Sequence, residues 1–288
     1  MAAVSTRDIR RKIRTIRNIQ QICRAMKAVA SVRLRRALTR LEGARPYASH
    51  IAALTSRLAA AGVEHPWLQP REHIRADGFV VIGADKGLCG AYNVNLFRIA
   101  RQTVDTAESP SLALMGRRPT ALFGRLNYDV REALALLTAE PQWEAVAKIA
   151  DAVGALYDQG AWDRVRVIYT RFISTGKQEV AVEQVLPVEA GAVPGEPSAT
   201  VSDYIFEPSA ERVLARLMPR YLRTRLFLAA LNASASEHAA RVVAMAGASD
   251  NAEEMIGTLT LQYNKARQAA ITRELTDIVG TAEALRQM

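Results

Sequence analysis

The stretch RYLRTRLFLAALNASASEHAARVVAMAGASDNAEEMIGTLTLQYNKARQAAITRELTDIVGTAEALRQM, Arg220 to Met288, contains no proline and is dominated by helix formers. Allowing for fraying, it predicts about 65 residues of one helix, roughly 100 Å at 1.5 Å per residue. Helices of globular domains run about 8 to 20 residues, so this one cannot fold back into a single compact core. It must lie along an equally long partner, cross a bilayer or pass through another subunit. Arg223, Arg225, Glu237, Arg241, Asp250, Lys265 and Arg273 distribute charge along it, which excludes the bilayer. The chain reads as a rod with something attached.

The other end of the chain supplies a partner. Residues 1–42 carry 12 Lys or Arg against Asp8 and Glu42, whereas the remainder is almost balanced, with 26 basic and 27 acidic side chains. The positive excess therefore lies on one segment, which should meet an acidic surface: nucleic acid, anionic lipid or an acidic protein face. Ser5 or Thr6 can cap a helix here, with Asp8 in its first turn. Ile9, Ile13, Ile16, Ile19, Ile22, Met26, Val29, Leu34, Leu38 and Leu41 then recur at mostly three- and four-residue steps. Such a narrow stripe on an otherwise Arg-covered helix is the pattern of a two-stranded coiled coil. Pro46 should weaken the helix, with Tyr47–Ala61 continuing it after a bend. Ala229, Ala230, Ala233, Ala235, Ala239 and Ala240 give the C-terminal helix a seam of small residues, so the predicted antiparallel pair is slender.

Between the helices the pattern changes. FVVIGAD (Phe79–Asp85) is a buried-strand run, followed by an amphipathic helix from Asn93 to Glu108 and the strand SLALMG (Ser111–Gly116). A short helix around Thr120–Leu126, a strand near Val130 and a helix from Glu140 to Gln159 come next. VRVIYTRFIS (Val165–Ser174) and EVAVEQVLPV (Glu179–Val188) form a hairpin turning at Thr175–Lys177. Strands alternating with helices predict a largely parallel sheet with an antiparallel edge. The fold class is thus mixed α/β and α+β: a long antiparallel coiled coil of N- and C-terminal helices with an inserted Rossmann-like α/β domain. The predicted divisions are residues 1–75 for the first shaft helix and its continuation, 76–205 for the insert and 206–288 for the second shaft helix.

Catalytic and cofactor signatures are not found. No GxGxxG or GxxxxGK[ST] motif occurs, and Gly83, Gly87 and Gly90 are wrongly spaced for a phosphate cradle; they read as a tight strand-to-helix turn. His50, His65, His73 and His238 are scattered over separate segments, so neither a metal site nor a histidine-based triad is predicted. His238 is expected as a solvated or interfacial side chain, and Asp85 as a helix cap rather than a catalytic carboxylate. Cys23 and Cys89 lack metal or redox spacing and suit a reducing compartment. The N-terminal MAAVSTRDIRRKI has no apolar signal core, and no transmembrane run exists. The expectation is a chain with no cofactor, no metal and no active site.

Three stretches carry a specific resemblance. GADKGLCGAYN (Gly83–Asn93) resembles the central signature of the gamma subunit of F-type ATP synthases. ASEHAARVVAM (Ala235–Met245), SDNAEE (Ser249–Glu254) and YNKARQAAITRELTDIVGTAEAL (Tyr263–Leu285) resemble its C-terminal signature. IRRKIRTIRNIQQICRAMKAVAS (Ile9–Ser31) is similar to its first helix, and YIFEPSAE (Tyr204–Glu211) is also in register. The resemblance implies a non-catalytic central rotor shaft inside a ring of alpha and beta subunits. Its foot would rest with epsilon on the membrane c-ring, and ion flow would turn it to drive the beta subunits through their states. By position it implies rotor–stator contacts at Met26, Arg241, Arg267, Gln268, Thr272 and Glu274. Tyr204, Ile205, Phe206 and Glu207 would face epsilon and the c-ring, while Val279, Ala282 and Leu285 would enter a hydrophobic sleeve at the top of the ring.

Two positions depart from that pattern: Pro119 stands where the family often has glycine, and Cys23 where threonine is more usual. The paired regulatory cysteines of chloroplast members are absent, which together with the lack of a transit peptide implies a bacterial member on the cytoplasmic face of the plasma membrane. Two other classes compete with the shaft. A nucleic-acid-binding coiled coil would use the Arg-rich helix, but residues 1–45 contain no aromatic residue for base stacking. A small α/β enzyme with helical arms would require turnover or nucleotide binding by residues 76–205.

Overall fold

The computed structural model describes residues 6–60, 62–134, 140–188 and 206–286. The chain divides into two compact units, one containing α1 up to Val29 with α5 from Ala244, the other running from Ala30 to Val243. Helix α1 spans Thr6–Ala60 and α5 spans Ala210–Arg286, so each contributes to both units.

In the first unit the two helices run antiparallel. Gln20 on α1 reaches the carbonyl of Ser249 and the carboxylate of Glu253, each at 3.4 Å, and Arg24 pairs with the same Glu253. Ile9, Ile13 and Cys23 are buried against α5, and Ile16 and Gln20 are half-buried between them. The seam therefore differs from the predicted stripe. Ile19, Ile22 and Val29 are 49%, 59% and 53% exposed. The seam keeps the alternating four-and-three spacing of a coiled coil by way of Gln20 and Cys23, less apolar residues than the isoleucines beside them.

In the second unit Leu34, Ala37 and Leu41 of α1 meet Leu231, Ala235 and Ala239 of α5, again antiparallel. α1 continues through Pro46 to Ala60 as one helix, instead of the two helical stretches expected around the proline. The insert contains β1 (Asp77–Ile82), α2 (Tyr92–Val104), β2 (Pro110–Met115), α3 (Arg117–Arg125), β3 (Asp129–Leu134), α4 (Trp143–Asp158), β4 (Arg164–Ser174) and β5 (Lys177–Leu186). The sheet order is β3-β2-β1-β4-β5, parallel except for the antiparallel β4–β5 hairpin.

β1 explains why FVVI is continuously apolar. Val80 and Ile82 face one core with Val153 of α4 and Leu222 and Leu226 of α5. Phe79 and Val81 face the other with Leu96 of α2 and Phe123 of α3. A strand covered on both faces needs no polar alternation.

α5 also begins ten residues earlier than the proline-free reading predicts, and Pro219 lies within it. An interior proline costs about 3 kcal/mol or more. Leu214, Met218, Tyr221 and Leu222 are all buried around it, and each such burial contributes roughly 1.5–3 kcal/mol. Packing on the sheet domain outweighs the missing hydrogen bond. Pro119 is similarly placed without penalty, in the first turn of α3, where backbone N–H groups have no intrahelical partner.

Candidate functional site

The glycine-rich loop after β1 is the turn that its spacing predicts, and it docks on α5. Gly116 adopts φ +107, and a Cβ there would lie 2.3 Å from the Gly83 carbonyl oxygen; only glycine fits this crossing. The Asp85 carboxylate accepts from the backbone N–H of Arg117 at 3.0 Å, capping α3 as expected. Beyond it the loop reaches the shaft helix: Arg241 Nη2 donates to the Gly87 carbonyl at 3.1 Å and to Glu237 at 2.6 Å. The partly buried pair Arg241–Glu237 is thus held on one helix and shared with the loop.

His238, expected as a solvated or interfacial side chain, is only 1% exposed, which rules out the solvated alternative. Its Nδ1 lies 3.2 Å from Arg241 Nη1. A guanidinium can only donate, so Nδ1 accepts. The choice has a topological cause: this stretch of α5 faces the insert rather than solvent, which helical periodicity alone does not reveal. Burial pushes the Glu237 carboxyl above its usual range, with Arg241 offsetting only part of the shift. Burial likewise raises the Cys89 thiol, again partly countered by Arg241, and that thiol donates to the Lys86 carbonyl.

Further contacts carry α5 across the C-terminal ends of β1 and β4. Tyr92 donates to the Ala233 carbonyl at 3.2 Å, Ser236 to the Thr170 carbonyl at 3.0 Å, and Asn232 accepts from the Phe172 N–H at 3.4 Å. In open α/β sheets ligands bind outside the carboxyl ends of the strands, where the strand order switches. Here that position, between β1 and β4, is covered by the chain's own helix. Among the described residues no group of three or more His, Cys, Asp or Glu could hold a metal ion. No helix among them is long and apolar enough to cross a membrane.

The shaft unit presents a different surface. A groove of about 760 Å³ lies between its helices, lined by Ile16, Met255 and Leu259 together with Arg11, Lys12 and Glu254. Local spacing does not reveal it, because its lining comes from two helices more than 200 residues apart in the chain. From Arg267 to Ala282 every residue of α5 is exposed. Among them Ile271, Leu275, Ile278 and Val279 recur at i, i+4, i+7 and i+8, forming one apolar stripe.

The structure disperses the predicted contact residues. Arg267, Gln268, Thr272 and Glu274 all lie on the exposed stretch of α5, where Thr272 donates to the Gln268 carbonyl at 3.0 Å. Met26 is half-buried on α1. Arg241 is buried inside the loop–helix junction. Phe206 packs against the larger core of the insert, while Glu207 is exposed. Tyr204 and Ile205 lie outside the described residues, and Val279 and Ala282 are exposed.

The sequence profile described as ATP synthase matches residues 5–285. The ATP synthase gamma chain of Heliobacterium modesticaldum is 42% identical over 288 residues, covering 97% of this chain and 98% of the relative. That of Symbiobacterium thermophilum is 41% identical over 299 residues, covering 99% of each. In fold, the chain is similar to one in the Euglena gracilis mitochondrial ATP synthase OSCP/F1/c-ring structure, with TM-score 0.70 and 19% identity over 97% of this chain and 94% of that one. It also resembles one in the central stalk/c-ring structure of the Tetrahymena thermophila mitochondrial ATP synthase, with TM-score 0.60 and 23% identity over 79% and 99%. The profile match and the identities, each spanning nearly the whole chain, establish that it belongs to the ATP synthase gamma-chain family.

Proposed function

We propose that this chain is the central shaft of a rotary ATP synthase, coupling ion-driven rotation of a membrane c-ring to conformational cycling of catalytic beta subunits. The observation that carries the reading is the bare end of α5. A single helix with no partner is marginal in water, and the stripe Ile271–Leu275–Ile278–Val279 is apolar yet exposed. Such a stripe fits insertion into a sleeve made by other subunits, with exposed Ala282 beyond it. The partners are an alpha–beta ring around the shaft, with epsilon and the c-ring at the foot.

The shaft acts without an active site of its own, a reading supported by α5 covering the crevice where an α/β sheet would hold a ligand. An asymmetric pair of helices offers different contacts to otherwise alike beta subunits, and differential contact is what biases a conformational equilibrium. Arg267, Gln268, Thr272 and Glu274 touch the ring directly, as does Met26 lower on the shaft. Arg241 acts on the ring through the loop that it holds. Tyr204, Ile205, Phe206 and Glu207 form the foot surface, and residues 1–75, 76–205 and 206–288 serve as first shaft helix, foot domain and second shaft helix. The complex lies on the cytoplasmic face of a bacterial plasma membrane.

The test is reconstitution with alpha and beta subunits of the same organism, with ATP hydrolysis measured with and without the chain. Entry of one copy into the ring, with cooperative turnover, is the expected result. A chain that neither enters the ring nor alters hydrolysis overturns the reading.

A further inference from the structure

We infer, on the shaft reading above, that Arg212, Arg216 and Arg220 of α5 form a docking stripe for a row of carboxylates on the epsilon subunit. At about 100° per residue the three positions fall within an arc of about 80°, and Arg223 lies inside the same arc. Leu214, Met218, Tyr221 and Leu222 are buried on the roughly opposite face, where α5 joins the larger core of the insert. The three arginines are exposed and occupy roughly 12 Å of the helix.

Local chemistry opposes this row. Arg212 stands in the first turn of α5, where the helix dipole disfavours a cation. Arg212–Arg216 and Arg216–Arg220 are like-charged i,i+4 pairs, which weaken a helix. Among the described residues the ion pairs of α5 to other elements or within itself are Arg24–Glu253, Arg223–Asp151, Arg225–Glu183 and Arg241–Glu237; none relieves the row. Glu211 is the nearest acid in sequence, but it lies about 100° around the helix from Arg212. A local rule broken with no compensating contact inside the chain marks a surface kept for another purpose.

Arg223 shows what a position on this arc takes. It holds Asp151 of α4 through Nε to Oδ1 at 2.6 Å and Nη2 to Oδ2 at 2.9 Å, the fork by which a guanidinium recognises a carboxylate. The exposed row repeats that head about every 6 Å, so its complement is a matching row of Asp or Glu. A c-ring beneath the foot, or the bilayer around it, meets the lower end of an upright helix and not a row running along it. The alpha–beta ring takes the far end of α5. Epsilon shares the foot with this chain and can stand beside all three arginines.

Two measurements test the stripe. In the first, the full chain is titrated with the epsilon subunit of the same organism at about 50 and about 300 mM salt, where screening differs strongly. R212E/R216E/R220E should weaken binding at the lower salt by about tenfold or more, the scale of three surface pairs lost, and R212K/R216K/R220K should keep much of it. Wild-type binding should weaken as salt rises; binding by the glutamate variant should not. In the second, whole synthase carrying R216K is treated with a water-soluble carbodiimide, which joins an amine to a carboxylate in contact with it. The cross-linked peptide that is new to R216K should come from epsilon, and this result decides even where the glutamate variant fails to fold. A folded glutamate variant with wild-type affinity overturns the stripe. So does an R216K link to c, alpha, beta or a carboxylate of this chain, or no new link. Binding of the chain to phosphatidylglycerol vesicles that depends on the arginines, without a link to epsilon, overturns it in favour of a lipid surface. A wild-type chain that neither enters the alpha–beta ring nor binds epsilon overturns the shaft reading, whereas entry into the ring with no epsilon contact at the row removes the stripe alone.

Discussion

The Arg241 guanidinium donates to the backbone carbonyl of Gly87, 154 positions away in the chain, at 3.1 Å. That bond joins the signature loop of the insert to the second long helix, and Glu237 and His238 complete its surroundings. Arg241 and Glu237 are only 9% and 16% exposed at their side chains. Arg241→Ala would leave Glu237 buried without its cation, so the expected loss is about 3–5 kcal/mol. Arg241→Lys keeps a charge but not the fork, and should fall between wild type and the alanine variant. Urea unfolding of the full chain checks both; a loss under about 1 kcal/mol in the alanine variant would show that the junction is not a buried ion pair in solution.

Gly116 is the second point where the loop leaves no freedom. At φ +107 any side chain is strained, and its Cβ would meet the Gly83 carbonyl at 2.3 Å. Backbone cannot move aside as a side-chain tip can, so Gly116→Ala should cost upwards of about 2 kcal/mol. Gly124→Ala is the control, since nothing lies within 4 Å of the point that a Cβ would occupy there and alanine is the better helix former. It should leave stability unchanged or slightly raised in the same melt.

The seam correction on α1 also has a direct test. Ile13 is buried whereas Ile19 is 49% exposed. Ile13→Ala should therefore cost about 2–4 kcal/mol, and Ile19→Ala no more than about 0.5 kcal/mol. Helicity at 222 nm followed through thermal unfolding distinguishes them. Comparable losses would restore the stripe through Ile19 and Ile22.

That stripe shows where the sequence was legible and where it was not. The alternation of FVVI-type runs with amphipathic helices specified the insert, because a doubly covered strand and a one-faced helix leave different local patterns. The two long helices were visible for the same reason. Which face of α1 meets α5 was not, because the choice between Ile19 and Gln20 is made by the partner's position and not by hydropathy. Pro219 misplaced the start of α5, since a local breaker signal carries no information about Leu214 and Met218 being buried beyond it. For the site, a capping role for Asp85 was readable from a carboxylate at a strand end, but not that the helix it caps, α3, starts 32 residues on. The burial of His238 and Arg241 was not, because it depends on a loop more than a hundred residues away.

The exposed end of α5 makes a prediction that separates stability from function. Leu275 and Ile278 are 58% and 59% exposed, so Leu275→Gln with Ile278→Gln should change the stability of the isolated chain by less than about 1 kcal/mol in total. If the stripe is sheathed by the alpha–beta ring, the same pair should weaken assembly and reduce ATP hydrolysis by the reconstituted complex. A variant that assembles and turns over like wild type would remove the sleeve contact from the proposed function.

Tyr169 gives the chain an alkaline signature. Burial and the adjacent Glu183 carboxylate push its phenol up to about 12 from an ordinary 10.0. A raised phenol favours the neutral form in the folded state, so its contribution is fully present below pH 10 and is lost as pH rises from 10 towards 12. Over that window the loss should reach roughly 2–3 kcal/mol, since each pH step between the unfolded and folded values is equivalent to about 1.36 kcal/mol. Tyr169→Phe removes the titrating group while retaining the ring. It should be less stable than wild type below pH 10, having lost the donor to Glu183, and should close that gap as the pH approaches 12. Urea midpoints of the two proteins across this range provide the measurement. Parallel curves would mean that Tyr169 ionises as it would in water and that its bond to Glu183 does not hold in solution.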